Sequence, residues 1–439
     1  MRYGINMIIY VVQVGDTITS IANKYGVSEA RIIQENGLHN PTDLVIGQTI
    51  VITYPQKIYV VKEGDTLSDI ALNQGISIMQ LYRNNPFLWE REYIYPGEEL
   101  VISYNTLATI TTNAYAFPYV NMNVLKKALP NLTYLSILNY KTLKKGEIES
   151  FYDDTELIKT AKQYGVAPVM LVTSITFQGV RNPEMIYEIL LNPEYQDNHA
   201  QNMIKVMKEK GYYGVNITIT FLSKATEQLY INYLKRVTAH FHKEGYPVFV
   251  TIDPNFTIKE NKLYFEEVDY SFFNDLVEEV YIMRFFWGTQ YVPPMPVSSV
   301  ANISLYVDYM KQMIDPKKIN VGFPLLGYDW TLPYVEGYSE GNAITLDSAL
   351  DLARLMESTI QFDEISETPN YEYNNNLGES IIEHIVWFVD ARTIYGIVNL
   401  VIENNLRGNG LWNIMNYNPQ LWLITNSNCI IEKVLPEMG

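Results

Sequence analysis

An internal repeat within the first hundred residues constrains the fold of this chain more than any other feature. Tyr10-Val-Val-Gln-Val-Gly-Asp-Thr-Ile recurs as Tyr59-Val-Val-Lys-Glu-Gly-Asp-Thr-Leu, and Gly64 lies 49 positions after Gly15. Each copy continues as an amphipathic helix that ends at a glycine, a second helix, a turn rich in proline or glycine and a final strand. The repeat predicts two small βααβ domains at residues 8–53 and 57–103, joined by short linkers.

Both copies resemble LysM domains over their whole length, through their Gly-Asp-Thr and Asn-Pro motifs. The resemblance implies binding of a glycan that contains N-acetylglucosamine, such as peptidoglycan or chitin, between the Gly-Asp-Thr loop and the loop before the second strand. The residues that it assigns to the two grooves are Gly15, Asp16, Thr17, Ile18, Asn40, Pro41 and Leu44, and Gly64, Asp65, Thr66, Leu67, Asn85, Pro86 and Phe87. A structural interpretation, which does not exclude binding, is that each aspartate caps the first helix together with the following threonine. Two tethered weak sites would also provide avidity.

From residue 107 onward, apolar runs typical of strands alternate with helical patterns. The candidate strands are Ala108–Ala116, Tyr134–Asn139, Ala167–Thr173, Gly214–Thr220, Pro247–Asp253, Glu279–Phe285, Ile319–Phe323 and Gly408–Trp412. The candidate helices are Asn123–Leu129, Asp154–Gln163, Asn182–Leu191, Asn198–Lys210, Lys224–His242, Val300–Met313, Leu346–Glu357 and Asp390–Asn404. Eight such pairs over residues 107–435 predict an α/β fold, the TIM (β/α)8 barrel, with an insertion at about 327–386. In this fold, sites lie at the C-terminal ends of the strands.

The fourth candidate strand, with the residue before it, carries the most informative motif. Tyr213-Gly-Val-Asn-Ile-Thr-Ile-Thr220 resembles the fourth barrel strand of glycoside hydrolase family 18, whose signature is Asp-Gly-x-x-x-Asp-x-Glu. Later motifs, from Tyr281-Ile-Met-Arg-Phe-Phe-Trp-Gly to Gly408-Asn-Gly-Leu-Trp, extend the resemblance over the whole segment. They are nearest to the LysM-bearing branch associated with bacterial spores and cortex peptidoglycan. The acids of the signature are missing, because Tyr213, Thr218 and Thr220 occupy their positions. Phe285 stands where the family has a tyrosine on strand six.

The missing acids matter because of the chemistry that the resemblance implies. In family 18 the acetamido oxygen of the substrate attacks the anomeric carbon, an aspartate orients it, and a glutamate protonates the leaving oxygen. A general acid must lose and regain a proton near the working pH. A threonine hydroxyl stays protonated in water, so Thr218 and Thr220 cannot replace these carboxylates. A relocated acid is the open alternative, with Asp253, Asp329, Asp390 and Glu403 as candidates. Asp390 could instead pair with Arg392 or cap a helix, and Asp253 could be a turn residue.

The sugar cleft itself is expected to remain. Trp412, at the end of the eighth strand, resembles the aromatic floor on which family 18 proteins stack the central sugar. We expect Trp412, Asn216, Tyr115 and Trp287 to form a glycan-binding cleft in the barrel mouth. The alternative is that Trp412 is an ordinary core aromatic.

The overall composition excludes several partner classes. With 32 basic and 49 acidic residues and a net charge of −17, the chain is unsuited to nucleic acid or anionic membrane. The single cysteine permits no intrachain disulfide, and five scattered histidines form no ligand pattern, so neither a metal nor a cofactor is expected. The N-terminus lacks a secretory signal pattern, and no window reaches the roughly 18 apolar residues of a membrane span.

These observations combine into one leading hypothesis: a non-catalytic glycan-binding or structural protein of the spore envelope, in the coat or the cortex. It would be made in the mother-cell cytoplasm without a signal peptide. Its partner would be peptidoglycan or another glycan with N-acetylglucosamine. Only 18% of residues are charged and 35 are tyrosines, which suits self-assembly or packing with other spore-coat proteins. One alternative is an active spore peptidoglycan N-acetylglucosaminidase with a displaced acid. Another is a lectin-like barrel that inhibits or scaffolds another enzyme.

Overall fold

The first repeat is a three-stranded antiparallel sheet, in the order β1-β2-β3, packed against two helices. The computed structural model that shows this describes residues 2–3, 6–91, 93–173, 183–253, 255–259, 262–283, 291–377 and 380–437. The elements of the first repeat are β1 (Arg2–Tyr3), β2 (Met7–Val11), α1 (Ile18–Tyr25), α2 (Glu29–Asn36) and β3 (Thr49–Thr53).

The second repeat has the same order of elements without a counterpart of β1 among the described residues. Its elements are β4 (Lys57–Val60), α3 (Leu67–Gln74), α4 (Ile78–Asn84), a 3-10 turn (Pro86–Glu90) and β5 (Glu99–Ser103). Thr17 and Thr66 cap the first helices, because each side-chain oxygen accepts a bond from the N–H three residues later. The βααβ reading of the repeat therefore agrees with the structure.

Asp16 and Asp65 do not cap these helices, so that part of the structural interpretation is wrong. The Asp16 carboxylate accepts the Tyr10 hydroxyl proton at 2.6 Å and a backbone N–H at 2.7 Å. Asp65 makes the same pair of bonds, with Tyr59 at 2.8 Å and a backbone N–H at 2.7 Å. Both aspartates therefore brace the turn between the first strand and the first helix, and the following threonines supply the caps.

Eight parallel strands close into a barrel, which confirms the predicted TIM fold. The strands, in their order around the barrel, are β6 (Ala108–Ala116), β7 (Tyr134–Thr142), β9 (Ala167–Thr173), β10 (Gly214–Ile219), β11 (Val248–Ile252), β14 (Glu279–Ile282), β15 (Ile319–Pro324) and β21 (Gly408–Trp412). Three short segments extend this core: β8 (Ile148–Ser150), the hairpin β12 (Phe256–Lys259) and β13 (Lys262–Phe265), and β22 (Cys429–Ile431). β22 pairs with β6 at the edge of the barrel.

Helices surround the barrel and lie close to the predicted positions. They are α5 (Met122–Ala128), α6 (Thr155–Gln163), α7 (Pro183–Leu191), α8 (Pro193–Lys210), α9 (Glu227–Lys243), α10 (Phe273–Leu276), α11 (Val300–Met310), α12 (Leu346–Leu355), α13 (Ala391–Glu403) and α14 (Pro419–Asn428). α8 begins five residues earlier than expected, because Asn192 caps it and proline takes its first position.

A second sheet stands between β15 and α13. Its five antiparallel strands follow the order β17-β16-β20-β19-β18. They are β16 (Gly327–Thr331), β17 (Gly341–Ile344), β18 (Gln361–Asp363), β19 (Thr368–Leu377) and β20 (Ser380–Trp387). α12 covers one face of this sheet and shares an apolar core with it. We refer to this sheet and α12 as the insertion.

The loop before β3 fixes the first repeat against the insertion. Val45 is buried in the apolar core of the insertion. The backbone N–H of Ile360 donates to the carbonyl of Ile46 at 3.0 Å, and Nε of Arg354 donates to the carbonyl of Asp43 at 2.9 Å. The first repeat is therefore packed onto the barrel side of the molecule by backbone and core contacts.

Helix α14 joins both repeats to the barrel. Nε2 of Gln420 donates to the carbonyl of Thr49 at 2.8 Å, and Nδ2 of Asn426 donates to the carbonyl of Arg83 at 2.9 Å. The Arg83 guanidinium in turn donates to the carbonyl of Pro130 at 2.7 Å. These buried polar bonds fix the orientation of each repeat, because breaking any of them would strand a polar group away from water.

Candidate functional site

A buried polar network lies beneath the end of the fourth barrel strand. Asn216 of β10 points into the barrel, where its Oδ1 accepts from Oγ1 of Thr251 at 2.9 Å and its Nδ2 lies 3.4 Å from the Tyr115 hydroxyl. The Tyr115 and Thr251 hydroxyls are 2.9 Å apart. All three residues are buried, and burial raises the pKa of Tyr115. Asn216 and Tyr115 therefore form the floor of the mouth, beneath the surface that a ligand could touch.

Hydroxyl side chains occupy the two positions of the motif nearest the mouth. Thr218 is half-buried and registers with Thr251 on β11, and Thr220 directly follows β10 and is 7% exposed. The Tyr230 hydroxyl donates to the carbonyl of Thr220. The next residue, Phe221, has a φ of 62°, a conformation that costs a non-glycine residue about 1–2 kcal/mol. The strand end is thus held tightly by its surroundings and carries no carboxylate at these two positions.

Tyr213 lies at the opposite end of the same strand. Its ring packs on Tyr134, with 6.2 Å between centroids, and lines the same surface depression as the buried Glu279. Burial, and then the charge of Glu279, raises the pKa of Tyr213. Glu279 accepts bonds from the Tyr281 hydroxyl at 2.8 Å and from Arg407 at 3.1 Å. Tyr213 therefore belongs to the packing at the N-terminal end of the barrel, away from the mouth.

Aromatic rings run from the mouth into solvent. Trp412 is half-buried; its ring lies 5.6 Å from Tyr115 and 6.1 Å from Phe117. Phe117 stacks on Tyr119 at 5.2 Å and 18°, and Tyr119 meets Tyr152 edge-on at 5.4 Å. Tyr119 is 52% exposed and Tyr152 is 45% exposed. We call Trp412, Phe117, Tyr119 and Tyr152 the aromatic line; its exposed, contiguous rings suit the flat faces of sugars.

Three members of the aromatic line were not predicted from the sequence. Phe117-Pro-Tyr119 directly follows the first barrel strand, and Tyr152 follows the hairpin that extends the second. Aromatic residues just beyond the C-terminal ends of strands were the signal that could have identified them. The predicted positions Phe285 and Trp287 lie outside the described residues.

Two of the four candidate relocated acids are bound elsewhere. Asp329 accepts the Tyr373 hydroxyl proton at 2.7 Å and lies 3.0 Å from Nδ1 of His384, within the insertion sheet. Oδ1 of Asp390 caps α13 by accepting the backbone N–H of Arg392 at 2.8 Å. Its Oδ2 accepts a hydrogen bond from the guanidinium of Arg392 at 2.7 Å. Asp390 thus both pairs with Arg392 and caps the helix.

The other two acids differ in position. Glu403 ends α13, and its carboxylate accepts a hydrogen bond from Nδ2 of Asn399, one turn earlier, at 2.8 Å. Asp253 is half-buried and directly follows β11. The last paired residues of β10 and β11 are Ile219 and Ile252. Thr220 and Asp253 each follow directly, so they lie side by side one position beyond this pair. Of the four, Asp253 alone stands next to a motif position at the mouth.

The predicted groove of the first repeat keeps an open side. Gly15 and Thr17 are exposed, whereas the second wall lies close to the insertion. Asn40 is exposed and donates from Nδ2 to the Asp351 carboxylate of α12 at 3.2 Å. Ile18 is buried, and Pro41 and Leu44 are half-buried.

Comparison with known proteins decides the family. The profile of the LysM domain matches residues 10–53 and 59–103. The profile of glycosyl hydrolases family 18 matches residues 115–416, which is more than half of the chain. The chain belongs to glycosyl hydrolases family 18.

Relatives of this family 18 protein align with it over nearly their whole length. The chain is 30% identical to the cortical fragment-lytic enzyme of Bacillus subtilis (strain 168) over 434 residues, which cover 97% of this chain and 99% of the relative. It is 29% identical to the enzyme of the same name from Bacillus anthracis, with the same coverage. The crystal structure of the Bacillus cereus spore cortex-lytic enzyme SleL superposes with a TM-score of 0.79 at 27% identity, over 97% of this chain and 99% of SleL. The resemblance stated from the motifs is thereby confirmed.

The two LysM domains share a buried asparagine clamp that the motifs did not reveal. In the second domain, Asn85 donates to the carbonyl of Val101 at 2.8 Å and accepts its N–H at 2.7 Å. Asn36 makes the same two bonds with Val51, at 2.8 and 2.7 Å, in the first domain. Asn85 therefore corresponds to Asn36 and not to the exposed Asn40. Because Asn85 is 1% exposed and fully bonded, it holds the domain together and cannot line a groove.

The remaining predicted residues of the second domain have mixed exposure. Gly64 and Thr66 are exposed, Asp65, Leu67 and Phe87 are half-buried, and Pro86 is buried. The Arg91 guanidinium lies 5.3 Å from the centre of the Phe87 ring. The Gly-Asp-Thr loop thus offers the accessible part of this groove.

The described residues contain neither a cluster of metal ligands nor a helix that could cross a membrane. Within the described ranges, no group of three or more histidine, cysteine, aspartate or glutamate residues is arranged to hold a metal ion. Among the helices that the structure describes, none has the length and apolar character that a bilayer crossing requires.

Proposed function

We propose that this family 18 protein binds N-acetylglucosamine-containing glycan of the spore envelope, through its barrel mouth and its LysM domains, without cleaving it. The observation that carries the proposal is the pair of hydroxyls, Thr218 and Thr220, at the strand end where the family reaction needs an aspartate and a glutamate. A threonine hydroxyl cannot donate a proton to a leaving oxygen and take it back near neutral pH. Loss of the acids therefore removes the proton transfer that glycan cleavage requires, while the sugar-binding surface remains.

Binding is supported by the surfaces that the chain retains. The aromatic line offers a half-buried ring, Trp412, at the mouth and exposed rings leading away from it. Such rings bind sugars through their apolar faces and add little conformational cost. The named relatives act on spore cortex material, which supports peptidoglycan as the glycan.

Isothermal titration with N-acetylglucosamine oligosaccharides and sedimentation with purified cortex peptidoglycan test the binding. We expect Trp412→Ala to weaken oligosaccharide binding about 10-fold, because it removes the stacking floor. Tyr338→Ala is the matched control, since Tyr338 is 89% exposed and lies outside the aromatic line. Equal affinity of the two variants would contradict a sugar site at Trp412.

Turnover is tested separately, by mass spectrometry of muropeptides and of labelled chitooligosaccharides after long incubation. We expect no product from the wild-type protein. Product that forms in proportion to enzyme concentration would contradict the non-catalytic proposal.

A second candidate function, peptidoglycan hydrolysis with a displaced acid, is favoured by the position of Asp253 beside Thr220. In that case Asp253→Asn should abolish turnover while glycan binding persists. Glu403→Gln is the control, because Glu403 lies at the far end of α13. Turnover that survives Asp253→Asn would exclude this assignment.

The proposal extends to place and partners. We place the protein in the spore coat or cortex after synthesis in the mother cell, where it would assemble with itself or with other coat proteins. A fluorescent fusion that forms a ring around the developing spore would support this location, and one that stays diffuse would contradict it. Light scattering over a range of concentrations tests self-assembly; a constant monomer mass would exclude it.

A further inference from the structure

A cleft lies between the first LysM domain, the insertion and the barrel mouth. We propose that this cleft is a further saccharide subsite, which holds a sugar beyond the first two units of the glycan chain that stacks on Trp412. The inference rests on the glycan binding proposed above. We call it the interdomain cleft and define it by His39, Lys127, Leu326, Asp347, Asn416 and Tyr417.

The interdomain cleft adjoins the backbone of Trp412. Leu325 and Asn413 both line it. Asn413 follows Trp412 in the chain, and the backbone N–H of Leu325 donates to the carbonyl of Trp412 at 3.0 Å. The cleft therefore adjoins the strand end from which the Trp412 ring projects, and we infer that one long glycan chain reaches both.

The size of the cleft fits a single sugar unit. Its volume is about 290 Å³, at the lower end of the roughly 300–1,000 Å³ typical of ligand pockets. Polar groups and apolar side chains share its walls, as a saccharide requires with its hydroxyls at the edge and its C–H groups on the face. Asn416 is exposed at the wall, opposite apolar surface from Leu326 and Leu346.

The charges in the cleft favour a neutral ligand. Nζ of Lys127 lies 4.7 Å from the centre of the Tyr417 ring, which holds this cation at the wall. Nε2 of His39 lies 3.6 Å from the Asp347 carboxylate, across the junction between the LysM domain and the insertion. One ammonium and one carboxylate offset each other, so an N-acetylated sugar suits the site better than an acidic stem peptide.

The cleft exists only because the first LysM domain is docked. Its walls come from the loop after α2, from α5 and α12, from the start of α14 and from the loops that follow β15 and β21. Free domains on a flexible tether would not form it. The subsite is therefore a property of the assembled chain and of neither domain alone.

Titration of the full-length protein with chitooligosaccharides, from the disaccharide to the hexasaccharide, tests the proposal. Lys127→Met and Asn416→Ala should each weaken binding of the hexasaccharide about 10-fold, by loss of a polar contact to the added sugar, and leave the disaccharide within about twofold. Lys126→Met is the matched control, since Lys126 is the neighbouring helix residue and does not line the cleft. Circular dichroism establishes that each variant is folded.

The outcomes separate this subsite from the proposed function. Unchanged hexasaccharide affinity in both cleft variants would overturn the subsite, while a loss in Trp412→Ala would still support glycan binding at the mouth. An equal loss at every chain length would also overturn it, because the residues would then act on the mouth itself. Binding of a sugar-free stem peptide in the cleft would reassign it to a peptide. A wild-type protein that binds no oligosaccharide would refute both the function and the subsite.

Discussion

Docking of the first LysM domain can be tested at one glycine, because the repeat supplies its own control. Gly47 has a φ of 87°, and a Cβ atom there would lie 2.1 Å from the carbonyl oxygen of Ile360. Gly97, at the same place in the second domain, has a φ of 93° and nothing within 4 Å of such an atom. The N–H of each glycine donates to a valine carbonyl, at 2.9 and 2.8 Å. The two sites thus differ chiefly in the docking contact.

The expected magnitudes follow from this difference. Alanine in a left-handed conformation costs about 1–2 kcal/mol, and this cost is common to Gly47→Ala and Gly97→Ala. At Gly47 the new methyl group also collides with the backbone of the insertion, and such overpacking costs about 1–3 kcal/mol more. We expect Gly47→Ala to lose about 2–5 kcal/mol, and Gly97→Ala only the first part of that.

Urea denaturation of the full-length protein measures the two losses, and hydrogen exchange locates them. In Gly47→Ala, the amides of α12 and the loop before β3 should exchange faster, because the two surfaces separate. In Gly97→Ala, those amides should be unchanged. A difference in unfolding free energy below about 0.5 kcal/mol, with equal exchange in α12, would refute the rigid docking of the first domain.

Three further predictions concern the interior. Burial lowers the pKa of His199 from 6.5 to about 4, so its neutral form is favoured in the folded state. The free energy of unfolding therefore has its full value with respect to His199 above pH 6.5, and it falls by about 3 kcal/mol as the pH is lowered towards 4. His199→Gln should flatten that part of the pH dependence in denaturation titrations, and an unchanged slope would contradict the assignment. Asn85→Ala should cost about 2–4 kcal/mol of unfolding free energy by leaving backbone groups unpaired, and Asn40→Ala less than about 0.5 kcal/mol, as measured by thermal denaturation. Equal losses would show that Asn85 does not clamp the domain. Burial raises the pKa of Cys429 to about 12, so a thiol reagent at pH 8 should label it only after unfolding, and rapid labelling of the native protein would show that it is accessible.

The barrel was predictable because its strands and helices each carry a clear period. β6, β9 and β21 begin and end where the apolar runs predict, since neighbouring strands on both sides bury most of their residues. The repeats were predictable for a different reason: two copies of one pattern allow each to confirm the boundaries of the other.

Helix α14 escaped prediction for a physical reason. Every residue from Gln420 to Asn428 is buried, because repeats and barrel surround the helix on all sides. A helix with no solvent face has no amphipathic period, and its polar residues bond across domain boundaries instead. β19 also lacks a clear hydrophobic period in the sequence. Its asparagine-rich end appears as a polar tract, although the strand pairs with β20 along its length.

The asparagine assignments show why motif matching placed a groove residue wrongly. Asn40 and Asn85 each precede a proline, so the motifs align them. The structure aligns Asn85 with Asn36, because both end a helix and clamp the last strand. Short motifs report residue identity, whereas burial depends on contacts that are distant in the chain.

The barrel interior explains how the frame of β10 is stable with threonines at its C-terminal end. Asn216, Thr251 and Tyr115 satisfy one another beneath the mouth, so the strand ends do not need a carboxylate to complete their hydrogen bonds. Removing a buried carboxylate also removes its cost of desolvation. A retained frame is therefore compatible with either outcome for activity, and the side chains at the strand ends decide it.

Fixed docking also changes how the LysM domains can add affinity. A domain on a flexible tether increases avidity gradually with ligand length, because the linker lets the second site search for the ligand. The first LysM domain is held by Gln420, Arg354 and the core around Val45, so its distance from Trp412 is set by the fold. A glycan that is too short to span this distance gains nothing from the domain. Affinity should therefore rise in a step at one chain length, and a smooth rise would indicate that the domain moves.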